Sequence, residues 1–332
     1  MRQTYTFKSA NFAILLGLSP LFGQGVTLVG SGYSNPTSIS VSPGQITTFF
    51  VSGLDIDLTR PQNASTLPLP LSLAGISVTM KQSQSYAAPI LAVQRLALCS
   101  VGAGAGPTTP PECLVGAITL QVPYELSPVP APNASGTASA DVVVSQDGAA
   151  SKAFTVFVTT DNLHVLSTCD SFPSKQSGIC RSVVTHTDGT LLTADSPALP
   201  GETVVVYAYG LGQTSQTPIT GQASPTPAAT LSSPLYLQFD FTSNARPSPP
   251  FINRASIIPS PTPVFAGLTP GQVGLYQINV TIPRTIPGVD KCGSTCSHVA
   301  CTMYNTVSSN LTIDIGANLS WGGAAICVQP SQ

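Results

Sequence analysis

Charge is what this sequence has least of. Only 8% of its 332 residues are Asp, Glu, Lys or Arg, against about 25% in an ordinary soluble domain. The formal net charge is −2, and the 12 basic residues are scattered along the chain. Nucleic acid and anionic lipid therefore find no electrostatic footprint. Histidine is scarce too: His164, His186 and His298 are the three, and no Gly-x-Ser-x-Gly elbow accompanies them. His186, two residues before Asp188-Gly189, reads as an exposed strand-end residue, and a serine hydrolase has no recognisable catalytic set. The only glutamates are Glu112, Glu125 and Glu202. Glu125 follows a strand-ending proline and Glu202 a Pro-Gly turn, so both read as solvated turn residues, and no spacing points to a glycosidase pair. No apolar run is long enough to span a bilayer, and helical periodicity is nearly absent.

What the sequence has is turn formers and strand formers. It carries 31 prolines and 28 glycines, yet 42% of its residues are hydrophobic, many of them Val, Ile and Leu. Such a chain buries a core, and β structure is its default. The N-terminus reads as an export signal over residues 1–25. Arg2 and Lys8 precede the short apolar stretch Phe12 to Phe22, and Gly23-Gln24-Gly25 supplies small residues for cleavage. A secreted, extracellular or cell-surface location follows, and eight cysteines fit an oxidising compartment.

One phrase occurs twice. "SPGQITTFFVSGLD" begins at Ser42 and "LPGETVVVYAYGLG" at Leu199, with Pro43 and Pro200 standing 157 residues apart. Each copy sets a Pro-Gly turn before a run of β-branched and aromatic residues that a Gly-Leu pair ends. Downstream, Ala117 to Leu126 parallels Gln277 to Ile286, each an alternating strand closed by a proline, Pro123 or Pro283. Ser151 to Val158 then parallels Ser308 to Ile315.

Further strands are predicted at Gly75 to Met80, Ile90 to Leu98 and Ala140 to Gln146 in the first copy. In the second they fall at Arg181 to His186, Leu235 to Phe241 and Thr262 to Leu268. Asp147-Gly148 and Asp188-Gly189 are the turns. Short strands at this spacing predict an all-β chain of two tandem immunoglobulin-like β-sandwich domains, over residues 26–160 and 161–332, the second with a Cys-rich C-terminal insertion. The segment from Gln213 to Pro234 reads as a long surface loop.

These residues carry a resemblance. "LPGETVVVYAYGLGQT", "VFAGLTPGQVGLYQINVTIP" and "SSNLTIDI" resemble a C-terminal domain abundant in secreted proteins of Acidobacteria such as Solibacter. "SPGQITTFFVSGL" with "ITLQVPYELSP" is similar to the region that often precedes that domain. The resemblance implies an extracellular β-sandwich and brings no catalytic residues with it.

Cysteine chemistry is the sharpest local signal. Cys292, Cys296, His298 and Cys301 imitate a zinc knuckle, but in an exported chain with Cys327 as a fourth thiol, disulfides are preferred over metal. Cys99 with Cys113 and Cys169 with Cys180 then close short loops, and the connectivity of the C-terminal four stays open. Asp55 and Asp57 lack the ligand count of a calcium loop. No cofactor or metal is expected. The Asn-x-Ser/Thr sequons at Asn63, Asn133, Asn279, Asn310 and Asn318 are assigned no function.

The expected function is a non-enzymatic surface module binding a polysaccharide or a cell-envelope protein, without an integral membrane segment in the mature chain. A structural spacer and a secreted hydrolase are the alternatives. Trp321, Tyr207, Tyr209 and Tyr276 are the aromatics on which a sugar ring would stack. The loops at Gln213 to Pro234, Asn244 to Arg254 and Cys292 to Cys301 are the expected contact surfaces.

Overall fold

The computed structural model describes residues 26–33, 36–54, 61–98, 113–129, 136–170, 180–241, 262–286, 307–315 and 320–329. Among these, every regular element is a β-strand. The N-terminal half contains β1 (Thr27–Gly32), β2 (Pro36–Ser38), β3 (Ser40–Val41), β4 (Ile46–Ser52), β5 (Gln62–Asn63), β6 (Ser72–Leu73) and β7 (Ile76–Lys81). It continues with β8 (Ser85–Ala88), β9 (Ile90–Ala97), β10 (Leu114–Gln121), β11 (Ser139–Gln146), β12 (Ala149–Ala150) and β13 (Phe154–Val158). One sheet runs β2-β1-β4-β10-β9-β5 and the other β3-β13-β11-β7-β6, with β12 on β11 and β8 on β7.

The C-terminal half contains β14 (His164–Val165), β15 (Val184–Thr185), β16 (Thr203–Tyr209), β17 (Leu235–Asp240), β18 (Phe265–Leu268), β19 (Tyr276–Thr281), β20 (Val307–Ile315) and β21 (Ser320–Val328). Its sheets run β14-β16-β19-β18, with β15 also on β16, and β17-β20-β21.

Alternation builds both cores. On β7 Ile76, Val78 and Met80 point inward, and on β19 Tyr276, Ile278 and Val280 do the same, as a strand with one core-facing side requires. In the N-terminal half Phe49, Ile118, Val142 and Val156 join them from both sheets; in the C-terminal half Val206, Leu237, Leu311 and Ile326 close a separate core. Each half is thus a sandwich of two sheets, and each fully buried Ile, Leu or Phe side chain contributes about 1.5–3 kcal/mol.

The registers repeat. Ile46 faces Gln121 as Thr203 faces Thr281. Ile76 faces Gln146 as Leu235 faces Ile315. The parallel pair Val41 and Val158 is matched by a parallel bridge between Ala198 and Val328. These pairings correct one strand match read from sequence. Ser308 to Ile315 forms β20, the counterpart of β11 rather than of Ser151 to Val158, because β20 lies between β17 and β21 as β11 lies between β7 and β13. The counterpart of β13 in the C-terminal half is β21.

The repeated Pro-Gly turn sets both central strands. Gly44 and Gly201 hold φ of 78° and 82°, in the left-handed region that favours glycine. The N–H of each donates to the end of the neighbouring strand, Gly44 to Val122 O and Gly201 to Ile282 O. The hairpin joining β11 to β12 uses Asp147 and Gly148 with φ of 49° and 84°, as a two-residue turn with both central φ positive demands.

The two glycines make different predictions. A methyl at Gly201 meets Arg284 only at 3.7 Å, whereas one at Gly44 sits 2.0 Å from Tyr124 Cε1. Gly201→Ala is expected to cost about 1–2 kcal/mol of left-handed strain. Gly44→Ala adds an overpacking cost of about 1–3 kcal/mol. Denaturant unfolding of both variants checks the order, and equal losses would contradict it.

Candidate functional site: the seam and the Pro-Gly turns

The residue after each Pro-Gly caps its own turn. Gln45 Oε1 accepts from Ser42 N at 2.8 Å, and Glu202 Oε2 accepts from Leu199 N at 2.8 Å. The other polar atom of each side chain then reaches outward, and there the halves diverge.

Gln45 reaches into the seam between the sandwiches. Its Nε2 donates to Tyr33 Oη at 2.9 Å and to Asn162 O at 3.4 Å. Asn162 returns Nδ2 to Ser40 O at 2.9 Å and to Gln45 Oε1 at 3.2 Å. The Tyr33 ring stacks on His164 with centroids 3.5 Å apart and, on a longer offset, on Tyr209 at 5.9 Å. His164 Nε2 lies 2.7 Å from Asp170 Oδ2, which also accepts from Ser167 N. This polar and aromatic contact joins the start of the first sandwich to the start of the second. Burial pushes the Tyr209 hydroxyl up to about 12 and that of Tyr33 higher still, the hydrogen bond from Gln45 offsetting part of the rise for Tyr33.

A second contact closes the seam. Gly221 N donates to Gln121 Oε1 at 2.6 Å, and Leu69 N donates to Gly221 O at 2.8 Å. Tyr124 N donates to Thr220 Oγ1 at 3.0 Å, and that hydroxyl donates to Glu125 Oε2 at 2.7 Å. The segment from Gln213 to Pro234, expected as a long surface loop, is in part a strap across the first sandwich. Its Thr and Gly residues bring the backbone close enough to bond both elements. Glu125, read as a solvated turn residue, is a partner of that strap.

The sequence-predicted site residues are dispersed. Tyr276 is fully buried and its hydroxyl donates to Gly212 O; as an inward residue of the alternating β19 it presents no face to a sugar. Tyr209 is withdrawn into the seam stack, and Tyr207 is half-buried. Trp321 belongs to β21, opposite Asp314 in register, and its side chain lies outside the described residues. Among the described residues Tyr236, on β17, is an exposed tyrosine that sequence reasoning passed over. Asp55, Asp57, Glu112, His298, Cys99, Cys292, Cys296 and Cys301 lie outside the described residues, as do the Asn244 to Arg254 and Cys292 to Cys301 loops. Among the described residues no group of His, Cys, Asp and Glu is placed to hold a metal, and no helix is long and apolar enough to cross a membrane.

Cys169 and Cys180 are bridged, with Cα atoms 5.3 Å apart. Cys113 and Cys327 are also disulfide-bonded, to partners outside the described residues. His186 and Glu202 differ from their sequence reading. They are partly buried, His186 Nδ1 bonds Glu202 Oε1, and His186 Nε2 lies 3.1 Å from Ser196 Oγ. The sequence separates the three by a turn and a strand start, so no local motif marked them.

No family model and no curated protein matches the chain. Among solved structures it is similar to the adhesin InvE of Yersinia pseudotuberculosis, with 11% identity, 91% of this chain and 58% of that one covered, and a TM-score of 0.18. It is also similar to the structure titled BspA_C_WT, with 11% identity, 92% and 99% coverage and a TM-score of 0.18. At such scores these likenesses carry no argument. The all-β sandwich architecture rests on the pairing and packing described above.

Two predictions follow from the seam. Gln121→Ala leaves the Gly221 N–H without its acceptor, at a cost of about 1–3 kcal/mol, and is expected to speed proteolysis within Gln213 to Pro234; unchanged cleavage would contradict the strap. Tyr33 and Tyr209 hold their protons above the ordinary value of 10.0, so between about pH 10 and 12 the folded chain binds more protons than the unfolded one. The stability these two tyrosines contribute is therefore fully present below about pH 10 and is lost progressively as pH rises through this window. Thermal unfolding of the wild type against Tyr209→Phe, in which the loss is smaller, measures it.

Proposed function

We propose that this chain is a secreted or cell-surface, non-enzymatic module of two tandem immunoglobulin-like sandwiches that binds a protein of the cell envelope. The motif resemblance to secreted acidobacterial domains and the disulfides support the extracellular location. One observation carries the choice of partner. Of the aromatics expected to stack on a sugar, Tyr276 is buried and Tyr209 is withdrawn into the seam, while the N-terminal sandwich exposes aliphatic and aromatic surface at its open side. There a groove of about 500 Å³ is lined by the apolar Val26, Leu28, Ile39, Ala153 and Phe154 together with Thr27, Thr155 and Lys152, the last its one charged residue. Val29 on β1, Ile39 between β2 and β3, and Phe157 on β13 stand exposed, at 46%, 41% and 41%. An apolar, nearly uncharged surface of this kind suits a protein partner better than a hydrated polymer.

A structural spacer is the second reading, favoured by the seam, since two sandwiches held through both Asn162 and Gly221 make a body of fixed geometry. The two separate in a binding assay of the full mature chain against envelope protein fractions and a glycan array. The proposal expects retention of a defined envelope protein that Ile39→Glu and Phe157→Glu each abolish, with no glycan signal. Retention unaffected by both charges would move the contact elsewhere, glycan binding would restore the polysaccharide, and no binding would favour the spacer.

A further inference from the structure

The two sandwiches provide an internal comparison at the Pro-Gly turns. Ser31 faces Phe49 and Val184 faces Val206, equivalent pairs on the central strands, so Tyr33 and His186 occupy the same position two residues later. In the N-terminal half that position and the turn residue form a neutral pair, Tyr33 with Gln45. The fold is satisfied by it. In the C-terminal half the same two places hold an imidazole and a carboxylate. Ser196 is added where, counting back from the matched Val41 and Ala198, the first half has the apolar Ile39.

The geometry beyond the pair is that of an activated hydroxyl. Glu202 is fixed by Leu199 N on Oε2 and bonds His186 Nδ1 through Oε1. That bond places the neutral ring's proton on Nδ1 and leaves the Nε2 lone pair toward Ser196 Oγ at 3.1 Å. The Ser196 carbonyl, 3.4 Å from Nε2, is itself an acceptor and does not compete for that lone pair. Ser196 sits on a tight turn, its N–H held by Thr193 and its carbonyl accepting from Thr193 N, and it is exposed. Nucleophile, base and orienting carboxylate are thus in mutual reach.

We propose that Ser196 is a base-activated nucleophile, with His186 as its general base and Glu202 as the residue positioning the imidazole, and that it takes one acyl group from an activated ester or thioester. Ser196 Oγ forms a bond to the acyl carbon while its proton passes to His186 Nε2. The bond from that carbon to the departing oxygen or sulfur breaks, and His186 returns the proton to the leaving alkoxide or thiolate. The products are an ester on Ser196 and a free alcohol or thiol, with no change of oxidation state. Turnover is not expected. The ester formed on Ser196 has a serine alkoxide as its leaving group, far poorer than that of the activated ester or thioester, so water releases the acyl group much more slowly than it is loaded. Pro197 has no N–H, and those of Ser196 and Leu199 are engaged by Thr193 and Glu202. The site therefore becomes covalently loaded, an addition to the proposed binding role and independent of it.

The test mixes the full mature chain with p-nitrophenyl acetate, following p-nitrophenolate release and mapping acetylated peptides. The expected result is a burst that stops at one equivalent per chain, with the acetyl group on Ser196. Ser196→Ala removes the burst, and His186→Gln slows it by about 10²-fold or more, the usual worth of a general base. Glu202→Gln keeps one acceptor for Leu199 N yet slows the burst, and Glu202→Asp restores part of the rate. Acetyl spread over other serines and lysines in the wild type, or an unchanged burst in Ser196→Ala, overturns the proposal. The wild-type peptide map decides even if a variant fails to fold. Release continuing beyond one equivalent overturns the single turnover.

Discussion

Both halves depend on a backbone hydrogen-bond exchange at a Pro-Gly turn. In the first, Gly44 N donates to Val122 O and Val122 N donates to Gln45 O; in the second, Gly201 N donates to Ile282 O and Ile282 N to Glu202 O. This reciprocal pair pins the start of the central strand to the end of its neighbour. Register along β4 and β10, or β16 and β19, follows from it, and a slip of one residue would turn Phe49 or Val206 away from the core. The turn residue adds a side-chain cap to the same loop, so its chemical identity is free to vary wherever an acceptor is retained.

That freedom explains how one framework supports different local chemistry. Gln45, an amide with both donor and acceptor, builds the seam through Tyr33 and Asn162. Glu202, an acceptor only, draws in a protonated ring nitrogen and leaves the far side of His186 facing a hydroxyl. The seam then has a consequence for surface chemistry. It withdraws Tyr33, Tyr209 and part of the Gln213 to Pro234 segment, while Val29, Ile39 and Phe157 of the N-terminal sandwich stay exposed.

Much of the framework was legible in sequence, because alternation and turn chemistry are local. The Pro-Gly phrases, the Asp147-Gly148 hairpin and the proline-closed strands all appear where the periodicity of two and the turn residues place them. Strand neighbours were less legible. "SKAFTVFV", "ADVVVSQ" and "SSNLTIDI" alternate alike, so pattern identifies each as a strand without saying which strand it pairs with. The candidate site was the least legible part. Ser196, His186 and Glu202 meet only because a turn folds back beside a strand start, and Tyr276 looked available until its inward register on β19 was known.

The claim that both halves share one turn-and-strand framework is tested most directly by cross-strand NOEs in the labelled mature chain. The account predicts that Ala198 lies beside Val328 as Val41 lies beside Val158, each pair parallel. A spectrum placing Ala198 beside Ile315, the neighbour implied by pairing Ser308 to Ile315 with Ser151 to Val158, would contradict it.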